Sequence, residues 1–438
     1  MEINLTEINN RLCAFLDATP NSFFAVHNIK AQLATAGFTE LQEGQRWQLV
    51  PGGKYYVSRN GSALLAFVLP QNPYLGFQIY ACHCDSPAFK LKNNAELVVD
   101  NKYVKLNVEK YGGMLMAPWF DRPLSLAGRV AVDCGNAIES RLVNIDRDLL
   151  MIPSLAIHMN RKANEGYSYN PQVDLLPLYG GKEAAGSLKK LIAEEADCSP
   201  ENILASDLYL YNRVAGSIWG AEEEFFSSGR LDDLECVYGS LQGFLKSENK
   251  EFASMFCVFD NEETGSGTRQ GAASGFLRDV MERIAKLPYK QVDFSALVAN
   301  SFMLSADNAH SLHPNQPEKS DPTHRPVMNG GVVLKYSANQ KYTTDSVSGA
   351  VVTKLCKDHH IPLQLFFNRS DMPGGSTLGN ISSSQVAIPT ADIGLAQLAM
   401  HSPYETAGVK DLAYMIRLAE VFYQADLAME ADGYFKVE

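Results

Sequence analysis

Two adjacent carboxylates, Glu262 and Glu263, follow the run FASMFCVFDN at residues 252 to 261 and precede the turn residue Gly265. Consecutive side chains leave an extended backbone in different directions, so one of the pair can bind a cation while the other handles a proton. The apolar run reads as a buried strand, and ligands gather beyond the carboxyl ends of parallel strands. Taken alone, the pair fits a solvated acidic loop equally well.

Other positions repeat the pattern. His83 and Asp85 stand two apart beyond the apolar stretch Leu75 to Ala81, on one side of an extended chain. An imidazole beside a carboxylate suits a metal ligand together with the acceptor that orients its other ring N–H. Asp232, in RLDDL at 230 to 234, precedes a helical apolar pattern and serves either as a ligand or as a helix N-cap. Asp307 follows an apolar strand that ends at Leu304, and His401 follows the strand-like Ala391 to Leu398. Each has an ordinary structural use by itself, but histidines and acids beyond at least four candidate strands mark where a parallel sheet assembles a site. Three carboxylates, Asp232, Glu263 and Asp307, with two neutral imidazoles repel one another unless cations join them. Two divalent ions leave a slight positive excess suited to stabilising a hydroxide, whereas one leaves the cluster anionic. A mixed nitrogen and oxygen donor set suits zinc, with manganese or cobalt as substitutes.

The elements that must position these groups are legible in outline. Leu5, Ile8, Leu12 and Leu16 predict a helix that stops before Pro20, and Val26, Ile29 and Leu33 predict a second from about Ser22 to Gly37. Lys54 to Arg59 and Ser62 to Leu69 predict a hairpin turning at Asn60-Gly61. From about Lys90, short strands with turns at Asp100-Asn101 and at Cys134-Gly135-Asn136 suggest a meander or small barrel, with one helix near Glu183 to Ala196. Alternation then returns: the strand at 252 to 259, a helix from about Gly271 to Leu287, a strand near Phe294 to Leu304, and helices near Ser346 to His359 and Asp411 to Met429. The expected fold is α/β, a mostly parallel central sheet flanked by helices, with an inserted β-rich domain. Residues 1–87 and 223–438 form the first unit and 88–222 the second.

A chain of 438 residues exceeds what one hydrophobic core usually serves, and its 46% hydrophobic and 20% charged content is that of a globular protein. A net charge of −12 with interspersed signs argues against nucleic acid, which needs a concentrated basic surface. An anionic substrate must therefore meet a local cation. The eight cysteines form no CxxC pair and fit the reduced thiols of a cytosol. Cys82 and Cys84 face away from His83 on a strand and read as core residues. MEINLTEINN lacks the pattern of a leader, and no apolar run is long enough to span a bilayer, so a cytoplasmic location without membrane contact is expected.

HCDSP at 83 to 87, YGG with WFDRPLSLAGR at 111 to 129, RLDDL at 230 to 234, DNEETGS at 260 to 266, SADNAHSLHPN at 305 to 315 and AMHS at 399 to 402 resemble the M18 metallopeptidases, the aspartyl aminopeptidases. Six blocks in order over nearly the whole chain are far more specific than any one motif. The resemblance implies a zinc-peptidase-like catalytic domain with two Zn2+ per subunit, an inserted dimerisation domain and a tetrahedral dodecamer built from dimers. It implies that His83 and Asp307 hold one zinc, Glu263 and His401 the other, and that Asp232 bridges them. Asp85 would orient His83, and Glu262 would be the general base. His158 would reach a neighbouring subunit's site, while His310 and Lys335 would line the substrate pocket. The implied reaction removes N-terminal Asp or Glu from peptides through a hydroxide between the metals. An acidic side chain needs a cationic or N–H-rich pocket, for which Lys335 and the backbone of Gly374, Gly375, Ser376 and Thr377 are the candidates. Outside the resemblance, His158 reads as an interface or core histidine and Lys335 as a snorkelling surface lysine.

Two other readings share these ligands. A two-metal phosphoesterase needs further cations near the metals, and the motif loops offer little beyond Arg230 and Arg369. A non-catalytic peptide-binding cage does not need the proton acceptor at Glu262.

Overall fold

The structure, a computed structural model, describes residues 4–289 and 293–438. The first three residues of the stretch read for a leader lie outside that range. Among the described residues the largest sheet has nine strands. In spatial order they are Thr39–Leu41, Lys54–Arg59, Ala63–Val68, Phe252–Phe259, Gly76–His83, Phe302–Ala306, Thr390–Gly394, Val332–Tyr336 and Leu363–Phe367. Five of its eight pairings are parallel, including the three consecutive ones from Phe252–Phe259 to Thr390–Gly394. Both faces are covered, because successive side chains point to opposite sides and the central strands are apolar at nearly every position. Tyr80, Cys82, Phe256 and Val258 pack into one core with helices Leu5–Asp17, Leu231–Phe244 and Asp411–Gln424. Ile79, Ala81, Met255 and Cys257 pack into the other with helix Phe276–Ala285.

The hairpin turns where expected, with Asn60 at φ 60° and Gly61 at φ 66°, the left-handed pair a type I′ turn requires. The strand from residue 76 runs through His83, two residues beyond the predicted end, which puts the imidazole on the sheet itself. Phe294 to Leu304 is not one strand. Asp293 caps a helix at Phe294–Ala299 by accepting from Ser295 N–H at 2.9 Å, and the strand begins only at Phe302. The last predicted helix ends at Gln424, and Leu427–Ala431 pairs antiparallel with Tyr434–Val437. Helix Phe276–Ala285 begins five residues later than its apolar pattern suggested. Near Glu183 to Ala196 a short 3-10 turn precedes the helix Leu188–Glu195.

A second sheet of six strands runs in the order Ile138–Asn144, Leu124–Asp133, Ile203–Asn212, Ala88–Val99, Tyr103–Tyr111 and Leu178–Gly181, all antiparallel, and packs its own core around Phe89, Trp119, Leu126 and Leu208. Arg129 ties it to the hairpin by donating to Asn60 O at 2.6 Å and stacking on the Phe23 ring. A five-stranded sheet that includes Ser217–Trp219, Phe225–Ser228 and Glu405–Gly408 lies beside the junction.

Candidate metal centre

The carboxyl ends of three neighbouring parallel strands meet at one edge of the large sheet. His83 ends Gly76–His83, Asp260 to Glu263 follow Phe252–Phe259, and Asp307 follows Phe302–Ala306. Helix Leu231–Phe244 brings Asp232 from the side. Its preceding residue Arg230 is left-handed (φ 62°), and Asp232 and Asp233 depart from helical geometry, so the first turn opens toward the sheet and does not cap itself. His401 arrives on the turn after Ala396–Leu398, at φ 66°. Arg230, Asn261 and His401 are all non-glycine residues in the left-handed region, which costs of order 1–3 kcal/mol each and is tolerated where surrounding contacts impose it.

The side chains converge. His83 Nε2 lies 3.4 Å from Asp232 Oδ1, and His401 Nε2 lies 3.5 Å from Asp232 Oδ2 and 3.3 Å from Glu263 Oε2. His83, Asp232 and Glu263 offer ligand atoms within 4.8 Å of one another, as do Asp232, Asp233 and Asp307. Asp85 is the organiser: it accepts from the backbone N–H of Glu262 and of Glu263, both at 3.1 Å, and from Tyr111 O–H at 2.6 Å. Its backbone carbonyl lies 3.1 Å from His83 Nδ1 and its carboxylate 3.5 Å away. His401 Nδ1 faces Gly113 O at 2.5 Å, which leaves Nε2 directed at the carboxylates.

This donor set fits divalent metal. Four buried polar atoms, His83 Nε2, Asp232 Oδ1, Asp233 Oδ1 and Glu263 Oε1, have no hydrogen-bond partner among the described residues, and buried polar atoms are almost always paired. The charge is also uncompensated. Burial pushes the Glu262 carboxyl up to about 8, with Asp307, Asp85 and Asp232 adding to it against the pull of His83. Burial and the Asp232 charge likewise raise Glu263. Cations among these oxygens would remove both costs.

The other sequence-predicted residues divide. Lys335 is not a surface lysine: it is 2% exposed, and its ammonium donates to Asp307 O at 2.7 Å and Asn308 O at 3.3 Å. It lies 3.9 Å from Asp307 Oδ2, which keeps it charged against the opposing effect of burial. His310 and Gly375 line a cleft of about 510 Å³ whose walls also carry Lys319, Phe366 and Arg369, and Ser376 is exposed next to Gly375. His158 is outside the cluster, on an exposed stretch with Leu155, Ile157 and Met159. Cys82 and Cys84 are buried, as expected.

Sequence reasoning missed one carboxylate, Glu405, and left a second, Asp233, only as the alternative ligand to its neighbour Asp232. Glu405, 2% exposed, accepts from Asp232 N–H at 3.1 Å and His401 N–H at 2.8 Å, holding the backbones of two candidate ligands. Burial, then the Asp232 charge, pushes it up to about 8. Asp233, fully buried, accepts from His83 N–H at 3.3 Å. Asp233 was visible only as Asp232's neighbour, and nothing local in Ser402-Pro403-Tyr404-Glu405 separates Glu405 from a solvated acid.

Fold and cluster together define an α/β protein with a buried carboxylate and imidazole centre for divalent metal. Residues 15–423 match the model of the Aminopeptidase I zinc metalloprotease (M18) family. The chain is 46% identical to a probable M18 family aminopeptidase 2 of Clostridium acetobutylicum, over 96% of this chain and 99% of that one. Among solved structures it is similar to one described as the Ape4 and Nbr1 complex, with a TM-score of 0.93, 35% identity, and 96% of this chain and 86% of that one covered. It is similar also to the S. cerevisiae mApe1 dodecamer structure, with a TM-score of 0.85, 30% identity, and 96% and 97% covered. The chain belongs to the M18 family of zinc metallopeptidases, and is an aminopeptidase, a hydrolase.

Proposed function

We propose that this aminopeptidase removes N-terminal acidic residues, Asp or Glu, from peptides at a two-zinc site. The observation that carries the metal count is Asp232, whose two oxygens face different imidazoles, His83 at 3.4 Å and His401 at 3.5 Å. His83 and Asp307 would hold one zinc, Glu263 and His401 the other, with Asp232 shared; manganese or cobalt would substitute. Zinc bound there supplies Lewis acidity, which polarises the scissile carbonyl and makes water a better nucleophile.

The chain's own residues supply the rest. Glu262 accepts the proton of the attacking water as the C–O bond forms, then delivers it to the nitrogen of the breaking C–N bond. Asp85 fixes Glu262 and Glu263 through their N–H groups and holds His83 by its other ring nitrogen. An acidic first side chain would enter the cleft lined by His310, Gly375 and Arg369, with Ser376 next in the chain to Gly375 and Lys335 behind Asp307. Residues 1–87 and 223–438 form the catalytic unit in this reading, and 88–222 the subunit-contact unit, whose His158 would act in a neighbour's site. By analogy with the S. cerevisiae protein described as a dodecamer, the assembly would be a tetrahedral dodecamer of dimers in the cytoplasm.

The test is a panel of N-terminally acidic, neutral and basic aminoacyl substrates and a phosphate ester, assayed with and without a chelator. Chelator-sensitive release of acidic residues in preference to the others is expected. Equal rates on acidic and neutral substrates would remove the specificity, and hydrolysis of the ester alone would favour the phosphoesterase.

A further inference from the structure

The geometry points to a second role for the six-stranded unit: its segment Tyr111–Leu115 is part of the metal centre, and Tyr111 is a positioning residue for the metal ligands. This rests on the site reading above, with His401 and Glu263 as ligands and Asp85 as their organiser.

One short segment, leaving the strand Tyr103–Tyr111, touches three parts of the centre. Tyr111 O–H donates to Asp85 Oδ2 at 2.6 Å, the shortest of the hydrogen bonds to that carboxylate. The same hydroxyl accepts from Asn261 Nδ2 at 2.9 Å, the left-handed residue that sets the direction of Glu262 and Glu263. Gly113 O faces His401 Nδ1 at 2.5 Å, and Leu115 N–H donates to His401 O at 3.0 Å, so one turn of chain grips His401 at ring and backbone. Between them Gly112, at φ 72°, passes so close that a Cβ there would stand 3.1 Å from Glu263 Cβ and 3.4 Å from its carbonyl oxygen. The sequence pair Gly112-Gly113 thus has a physical reason: the first glycine takes a left-handed φ against Glu263, and the second presents its carbonyl to a histidine.

A metal-ligating histidine needs an acceptor on its other ring nitrogen to fix tautomer and direction, and here that acceptor belongs to the six-stranded unit. The hydroxyl on Asp85 belongs to the same unit. A small shift of that unit against the large sheet therefore moves Asp85, Glu263 and His401 together, coupling metal affinity to the face that carries the exposed Leu155 to Met159 stretch. Asp121, further along the chain from Leu115, holds the start of that stretch, its carboxylate accepting from Ser154 N–H at 2.9 Å and from Ser154 O–H at 2.6 Å.

The experiment uses the full chain with four substitutions: Tyr111→Phe, Gly112→Ala, Tyr179→Phe and His401→Ala. Tyr179 is the control, a tyrosine of the same sheet whose hydroxyl meets Ser187 Oγ at 2.7 Å and no part of the centre. Zinc affinity is read by competition with a chromogenic chelator, alongside kcat, KM and the melting temperature of the metal-free chain. Tyr111→Phe is expected to weaken zinc about 10–100-fold and lower kcat with KM within about twofold, while the metal-free melting temperature stays near that of wild type. Gly112→Ala should do at least as much, and Tyr179→Phe should change neither affinity nor kcat. Wild-type zinc affinity and kcat in Tyr111→Phe, with His401→Ala strongly impaired in zinc binding, would overturn this coupling alone. Wild-type zinc affinity in His401→Ala would overturn the site reading and the coupling with it.

Discussion

Glu262 and Glu263 are neighbours in sequence with different surroundings. Glu263 faces His401 at 3.3 Å with its side chain almost fully buried, whereas Glu262 makes no such contact with an imidazole among the described residues. Their division of labour predicts that Glu262→Gln keeps its zinc, measured by elemental analysis, while kcat falls by about 10²–10⁴. An unchanged kcat would remove Glu262 from proton transfer. Glu405 makes a different prediction, since two buried N–H groups end on it. Glu405→Ala should cost about 1–3 kcal/mol for each orphaned donor in a urea titration, and should weaken zinc because Asp232 and His401 lose a common anchor. Lys335 and Arg369 separate by substrate. Arg369→Ala should weaken acidic substrates selectively by about tenfold if its charge meets the carboxylate, one charge-assisted hydrogen bond, whereas Lys335→Ala should also lower zinc affinity, because its ammonium holds the Asp307 loop.

At the scale of the element, local chemistry and tertiary pairing can be told apart. Helix Ser346–Asp358 is specified by its own first turn: Asp345 Oδ1 accepts from Ser348 N–H at 2.7 Å, and Ser348 Oγ accepts in return from Asp345 N–H at 3.0 Å. Asp345→Ala should destabilise the protein by about 1 kcal/mol with kcat unchanged, as urea unfolding and a rate assay would show. In the six-stranded sheet Asp207 lies between Lys90, at 2.8 Å, and Arg129, at 3.1 Å. Burial opposes its charge, but the two cations outweigh burial and hold it below the usual aspartate range. An acid with a depressed folded pKa contributes stability that is present above its unfolded value near 3.9 and is lost as pH falls through the folded one. Asp207→Asn should therefore lower stability at neutral pH and flatten the decline below about pH 4.

For the whole molecule, the two sheets meet at the candidate metal centre, and the chain crosses between them at residues 87–88 and again after Asn212. Tyr111 and Gly113 on one side, Asp85 and His401 on the other, make the junction polar where most of the interior is apolar. Exhaustive chelation should abolish turnover and lower the melting temperature, and added zinc should restore both, since a ligand that binds only the folded chain stabilises it by about 2.7 kcal/mol per site at a hundredfold excess over Kd. Light scattering of the intact protein against a variant with Leu155, Ile157 and Met159 changed to serine would test the assembly. A large wild-type particle that the triple variant splits into smaller ones is expected, because those side chains are exposed in the single chain.

The sequence by itself determined the acids and histidines that stand beyond the strand ends, the Asn60-Gly61 hairpin, the alternation of helix and strand, and through six ordered motifs the family. Those features are encoded within a few residues, by periodicity, turn preference and residue type. The helix at Phe294–Ala299 was misread as strand because its short apolar stretch fits either period, and its Asp293 cap decides it. Only the tertiary structure decided which acids face one another. Glu405 and Asp232 are 173 positions apart and Gly113 and His401 are 288 apart, so their partnership is set by the pairing of strands and the packing of two sheets, for which neither residue carries a local signal.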